Sequence, residues 1–220
     1  RFDHHRLDNG SWSDKGWQDY ITEENITIAK TASNGAAWPW EKADVDDSTY
    51  LDGIYADKAI EYLQSFKESE KPFFLGVGFL KPHLPFNAPA KYWDMYDRED
   101  IKLADNPFFP KDAPEQARFN WGELRSYHGV PKEGPVSDEM ATTLRHGYYA
   151  CVSATDALVG KVMAQLDRLE MTDDTIVILM GDHGYNLGDH GLWNKHVNFE
   201  TALRTTLIIS GPDVAQGSAD

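Results

Sequence analysis

Two continuously apolar runs on either side of one long amphipathic segment constrain this chain most. The first is "FFLGVGFL" at residues 73–80 and the second "TIVILM" at 175–180. Strands without polar alternation need cover on both faces, which is the habit of parallel sheets sandwiched by helices. Between the runs, Leu144, Tyr148, Val152, Leu158, Val159, Val162, Leu166 and Leu169 recur at helical spacing. Ser137, followed by Asp138 and Glu139, supplies an N-cap and an acidic first turn. Strand, helix, strand in this order predicts an α/β sheet with parallel pairing and a right-handed crossover.

The rest of the chain is arranged around that unit. Ile54, Ala59, Tyr62, Leu63 and Phe66 predict an earlier helix that ends before Pro72. A last strand is expected at "TTLIIS", residues 205–210. Residues 1–46 show no period and read as an irregular surface layer anchored by Trp12, Trp17, Trp38 and Trp40. Residues 97–136 hold five prolines and read as a long excursion, so 1–220 forms one domain. The N-terminus lacks Met and a signal-peptide core, and the C-terminus stops just after a strand-like run. The expectation is the central part of a longer catalytic domain, incomplete at both ends.

Charge narrows the function. A formal net charge of −15 argues against a nucleic-acid binder that works by neutralising phosphates, though not against a small anion held locally. No apolar run approaches the roughly 20 residues of a membrane span. A single cysteine excludes an intrachain disulfide. Cys151 lies inside the long helix in "YYACVSATD" with no partner, and reads as a packed residue rather than a nucleophile. Asn25-Ile-Thr27 is a glycan acceptor sequence, meaningful only in a secretory pathway.

The loops "KPHLP" and "GDHG" both follow apolar runs, so they are expected to open on one sheet edge, where α/β sheets bind ligands. Asp182 and His183, flanked by Gly181 and Gly184, suit half of a metal site. The alternative is a capping carboxylate beside a hydrogen-bonded imidazole. His83, fixed between prolines, could donate a proton or bind an anion. Lys81 and Lys195 are candidate anion contacts, against the alternative of solvated surface charges. Asp189 and His190 read as loop staples, with groups around the site as the alternative; His4, His5, His128 and His146 have no supporting context.

With these residues in place, "KPFFLGVGFLKPHLPFNAPAKYWDMY", "YYACVSATD" and "GDHGYNLGDHGLWNKHVNFETALRTTLIISGP" resemble the type I, formylglycine-dependent sulfatases. Within them the likeness is to the iduronate-2-sulfatase branch and its bacterial relatives. The resemblance implies an alkaline-phosphatase-like, mostly parallel sheet with helices on both faces, and a sulfuric ester hydrolase that uses a divalent metal, Ca²⁺ above all. It implies Asp182 and His183 as one pair of metal ligands, His83 at the sulfate and leaving oxygen, and Lys195 on a sulfate oxygen. Lys81 is a weaker candidate contact, and Glu200 and Arg204 match a supporting segment. The substrate would be a sulfated small molecule or glycan, and the location periplasmic, secreted or lysosomal.

Two family parts are missing from this sequence. No segment fits C/S-x-P/A-x-R, which carries the formylglycine, and Asp46-Asp47 does not follow a strand as the family's other metal pair does. Both are expected upstream, and the chain alone is expected to lack turnover. Other readings stay open: a phosphonate or phosphodiester hydrolase of the alkaline phosphatase superfamily, or a non-catalytic module that binds sulfated glycans.

Overall fold

A computed structural model describes residues 19–69, 71–119, 122–215 and 217. His4, His5, Trp12 and Trp17 lie outside the described residues. The order of regular elements is α1 (Glu23–Thr31), β1 (Trp40–Ala43), α2 (Leu51–Ser69), β2 (Phe86–Pro89), α3 (Ala90–Trp93), α4 (Asp138–Arg168), β3 (Val177–Met180), α5 (Glu200–Leu203) and β4 (Leu207–Ser210). Short 3-10 turns punctuate the connections.

Helix α4 organises the molecule. Ser137 caps it as expected, its hydroxyl accepting from the Met140 N–H at 3.2 Å. One face carries Leu144, Gly147, Ala150, Cys151, Ala154 and Leu158, all buried. The small residues at its centre allow a close approach to β2 and α3. A β-carbon on Gly147 would lie 2.8 Å from the Trp93 ring and 2.9 Å from Phe86 Cβ. On its other side α4 packs against α2, which buries Ala56, Ala59 and Leu63. Leu144 and Leu158 each contribute about 1.5–3 kcal/mol by burial.

Strands β1 and β2 pair in parallel, with Trp40 opposite Phe86 and Ala43 opposite Pro89. Both belong to segments the sequence showed as irregular. The prediction that "FFLGVGFL" is a ladder strand is corrected: residues 72–80 carry no regular structure. Its burial alternates, with Phe74 fully outward and Phe73 stacked on Phe66 of α2 at 4.9 Å. A run buried on both faces requires neighbours for its own peptide groups, and among the described residues no strand pairs with it.

The run at 175–180 does supply a strand, β3, but its partner β4 is antiparallel, with Val177 opposite Ser210 and Met180 opposite Leu207. The expected parallel pairing of the first and second apolar runs is therefore also corrected. Among the described residues no layer covers this ribbon fully, and Ile178, Met180, Leu207, Ile208 and Ile209 stay exposed.

The irregular layer is likewise more ordered than expected. Helix α1 and β1 fall inside it, stitched together by the buried Glu41 carboxylate. Glu41 accepts from the Ile21 and Thr22 N–H groups, the Thr22 hydroxyl, the Asn25 amide and the Tyr50 hydroxyl. Asn25 is itself buried and bonded to Trp38 N–H and the Trp40 carbonyl, so the sequon offers no accessible acceptor in the folded chain. The 97–136 excursion gives Leu124, Tyr127 and Val130 to the main core.

Gly147→Ala should therefore lower stability by about 1–3 kcal/mol through overpacking, read from the urea unfolding midpoint. An unchanged midpoint would mean that α4 does not seat on β2 and Trp93 this tightly.

Candidate functional site

The "KPHLP" turn is held from below. The Asp52 carboxylate, in the first turn of α2, accepts the Leu80 and Lys81 N–H groups, each at 2.9 Å. Burial raises the Asp52 proton affinity and those two N–H bonds oppose the rise. Thr155 of α4 donates to the Lys81 carbonyl at 3.2 Å. The Lys81 ammonium turns back onto its own loop, donating to the Pro85 carbonyl at 2.7 Å and the His83 carbonyl at 3.3 Å. Burial lowers its proton affinity, and Asp52, Asp19 and Glu41 work against that loss. In this arrangement Lys81 is a staple beneath the loop.

His83 sits at the crest. Its Nδ1 lies 2.6 Å from the Leu84 carbonyl oxygen, so Nδ1 carries a hydrogen. Its Nε2 lies 3.1 Å from Glu123 Oε1. The other Glu123 oxygen lies 3.7 Å from Lys195 Nζ. His83 and Lys195, 112 positions apart in sequence, thus meet at one carboxylate. Glu123 and Lys195 are nearly buried, with 12% and 13% of their side chains exposed, and His83 is one-third exposed. Burial pushes the His83 proton affinity down; the Leu84 carbonyl and Glu123 raise it, while Lys195 and Lys81 lower it further.

Lys195 is placed by its neighbours. Trp193 and Asn194 are buried, and Asn194 donates to the Phe119 carbonyl at 2.6 Å, fastening the segment to the excursion near Glu123. Asn186 donates from both its N–H and its side-chain amide to the Asn194 carbonyl, at 2.8 and 2.9 Å. Tyr185 donates to the Trp193 carbonyl at 3.1 Å and packs edge-on against Phe86, only three residues after His83. These contacts bring the segments containing "KPHLP" and "GDHG" side by side, although His83 precedes β2 and does not follow a ladder strand.

The glycines of "GDHG" serve close approach. A β-carbon on Gly184 would meet the Thr201 carbonyl oxygen at 2.2 Å, and one on Gly181 the Thr205 hydroxyl at 2.6 Å. Asp182 between them is largely exposed, at 88%, and accepts the His183 N–H at 2.9 Å. His183 Nδ1 lies 2.7 Å from the Gly184 carbonyl oxygen. That contact puts the hydrogen on Nδ1 and leaves the Nε2 lone pair for another partner; Nε2 lies 3.6 Å from Asp182 Oδ2. A carboxylate oxygen and an imidazole nitrogen at this spacing fit one side of a divalent cation. Among the described residues no third His, Cys, Asp or Glu joins them.

Asp189 and His190 behave as staples. Asp189 accepts the Leu187 N–H at 3.2 Å, and the His190 ring lies 4.0 Å from that of Phe199. His128 packs edge-on against Trp38, and His146 hydrogen-bonds the Trp93 carbonyl. Reasoning from sequence missed Glu123 and Asp52. Asp52 could have been read as an acid in a helix first turn; Glu123, in a stretch without period, left no signal.

The sulfatase family profile matches residues 7–220. The chain belongs to the sulfatase family. It is 37% identical over 180 residues to iduronate 2-sulfatase of Mus musculus, covering 79% of this chain and 33% of that protein. It is 34% identical over 150 residues to choline-sulfatase of Rhizobium meliloti, covering 68% and 28%. The phosphonate monoester hydrolase SpPMH of Silicibacter pomeroyi superposes with a TM-score of 0.66 at 23% identity, over 88% of this chain and 39% of that one. This last likeness concerns the fold, which is the alkaline-phosphatase-like α/β arrangement. The chain spans about a third of the length of the curated relatives it matches.

Cys151 is fully buried in α4, its thiol directed at the Asn87 carbonyl, and burial pushes its pKa up to about 12. Iodoacetamide at pH 8 should therefore modify it only as fast as the protein unfolds. Rapid labelling of the native chain would contradict this packing.

Proposed function

We propose that the protein to which this chain belongs hydrolyses sulfate esters, with His83 and Lys195 handling the ester and Asp182 and His183 holding half of a divalent metal site. The observation that carries the reading is the meeting of His83 and Lys195 in a nearly buried site of a sulfatase-family chain. An anion entering there finds an ammonium and an imidazole in a setting of reduced dielectric, where each is worth more than in water.

Each group has a distinct task. Lys195 balances negative charge on a sulfate oxygen. His83, with Nδ1 committed to the Leu84 carbonyl, offers Nε2 to the departing alcohol oxygen, whose developing charge a proton relieves. Lys81 and Asp52 keep the loop rigid, so that Nε2 holds its position during the reaction. A bound divalent ion, Ca²⁺ in our reading, would supply further charge neutralisation at the sulfate group. The nucleophile is proposed to be a formylglycine outside this chain.

Substrate class follows less directly. Relatives include an iduronate and a choline sulfatase, so the shared feature is the sulfate ester. We favour a sulfated glycan or small molecule and place the protein in a periplasmic, secreted or lysosomal compartment.

The test is turnover by the full-length protein of an aryl sulfate against an aryl phosphodiester. Preference for the sulfate, loss of activity on chelation and recovery with Ca²⁺ are expected. Lys195→Ala should cut kcat/KM by about 10²–10³-fold. Because burial lowers the His83 pKa, its protonated form disappears as pH rises through a midpoint below the ordinary value of about 6.5. Hydrolysis of alkyl sulfates should fall across that same window. Preference for the phosphodiester would sink the sulfatase reading.

A further inference from the structure

The excursion at 97–136 delivers one carboxylate, Glu123, between the two groups proposed to meet the anionic ester. Resting on the sulfatase reading above, we propose that Glu123 is a positioning residue that keeps the transferable proton on His83 Nε2 and seats the Lys195 ammonium beside it.

The hydrogen-bond inventory leads there. Leu84 O is only an acceptor, so the 2.6 Å contact at His83 Nδ1 uses a hydrogen on that nitrogen. A neutral imidazole then presents a lone pair at Nε2. A lone pair facing a carboxylate oxygen at 3.1 Å is repulsive, whereas a proton between the two makes a charge-assisted hydrogen bond. The 3.1 Å contact therefore fits an imidazolium–carboxylate ion pair.

The surroundings explain why a carboxylate is required. Among the described residues, the charged groups facing His83 are Glu123 from the excursion, Lys195 from the segment after β3, and Lys81 from its own loop. Two are cations, and burial acts in the same sense as they do, against the imidazolium. Glu123 is the opposing charge. Without it the imidazole would hold the Nε2 proton less firmly still.

Glu123 itself cannot drift away. Leu124 and Tyr127, just beyond it, are buried in the main core. The Arg125 side chain donates to the Pro131 and Gly134 carbonyls, at 2.9 and 2.7 Å. Glu123 Oε2 makes no hydrogen bond among the described residues; its contact there is the Lys195 ammonium. An ester oxygen arriving at Nε2 displaces Oε1, and Lys195 retains the carboxylate through Oε2. As the sulfur–oxygen ester bond breaks, its electron pair stays on the alcohol oxygen, which takes the Nε2 proton. The oxygen nucleophile forms the replacing bond to sulfur. His83 is left neutral with Nδ1–H still on Leu84, and regains a proton from solvent.

The test compares the full-length protein with Glu123→Gln and Glu123→Asp on two substrates. An alkyl sulfate needs its leaving oxygen protonated; 4-nitrophenyl sulfate, whose phenolate leaves unaided, does not. Glu123→Gln should lower kcat on the alkyl ester by about 10²-fold or more. On the nitrophenyl ester it should cost only a few-fold, and Glu123→Asp should restore part of the loss. Equal losses on both esters would overturn the proposal. The His83 ring, labelled with ¹³C and assigned by its absence in His83→Gln, gives a readout independent of turnover. Its titration midpoint should move to lower pH in Glu123→Gln, and an unmoved midpoint would overturn the assignment. Failure of the unsubstituted protein to cleave either sulfate would instead refute the sulfatase reading, leaving the ring titration to decide the role of Glu123.

Discussion

Segments that join no ladder must still satisfy their peptide groups, and in this protein buried side chains do it. Asp52 takes two consecutive N–H groups of the loop that carries His83. Glu41 takes two at the start of the layer that carries α1. Around Lys195 the direction reverses: the Asn186 and Asn194 side-chain amides donate to the Asn194 and Phe119 carbonyls. A buried carboxylate or amide is costly unless its bonds are complete, so each anchor tolerates little displacement of the backbone it holds.

Legibility in the sequence tracked the range of the forces. Helices α2 and α4 declare themselves through local periodicity and, for α4, through Ser137, because a helix closes its hydrogen bonds within itself. A strand needs a partner, and composition alone does not say which one arrives. "FFLGVGFL" has strand composition without a ladder, while "FNAP" has little strand character and pairs with β1. Residues 40–43 and 86–89 become strands because Phe86, opposite Trp40, is driven under α4. That is a tertiary cause with no local trace.

The site divides in the same way. His83, Lys195, Asp182 and His183 stand in short segments whose composition is unusual enough to notice, and the family resemblance gave each a provisional task. Lys81 was noticed for the same reason, yet its ammonium is occupied by two carbonyls of its own loop. Sequence proximity to His83 carried no information about direction. Glu123 illustrates the converse. Its importance arises from Asn194 fastening to Phe119 and from Leu124 and Tyr127 entering the core. Each of these is a contact across tens of residues.

A strongly acidic chain proposed to bind an anion is not a contradiction, and the scale of screening shows why. At physiological ionic strength charges more than about 8 Å apart across solvent barely interact, so the net −15 is a property of the surface. Inside the nearly buried site, the charges that count are the few in contact. There Lys195 supplies a positive charge, His83 a second when protonated, Glu123 one negative, and Lys81 lies just beneath the loop. With His83 protonated the excess is positive but small, which would suit the proposed reaction, where an anionic product must leave as well as an anionic substrate bind. A stronger cationic pocket would hold sulfate more tightly without favouring the transition state over it. On this view Glu123 moderates affinity and preserves the proton through one and the same pair of contacts.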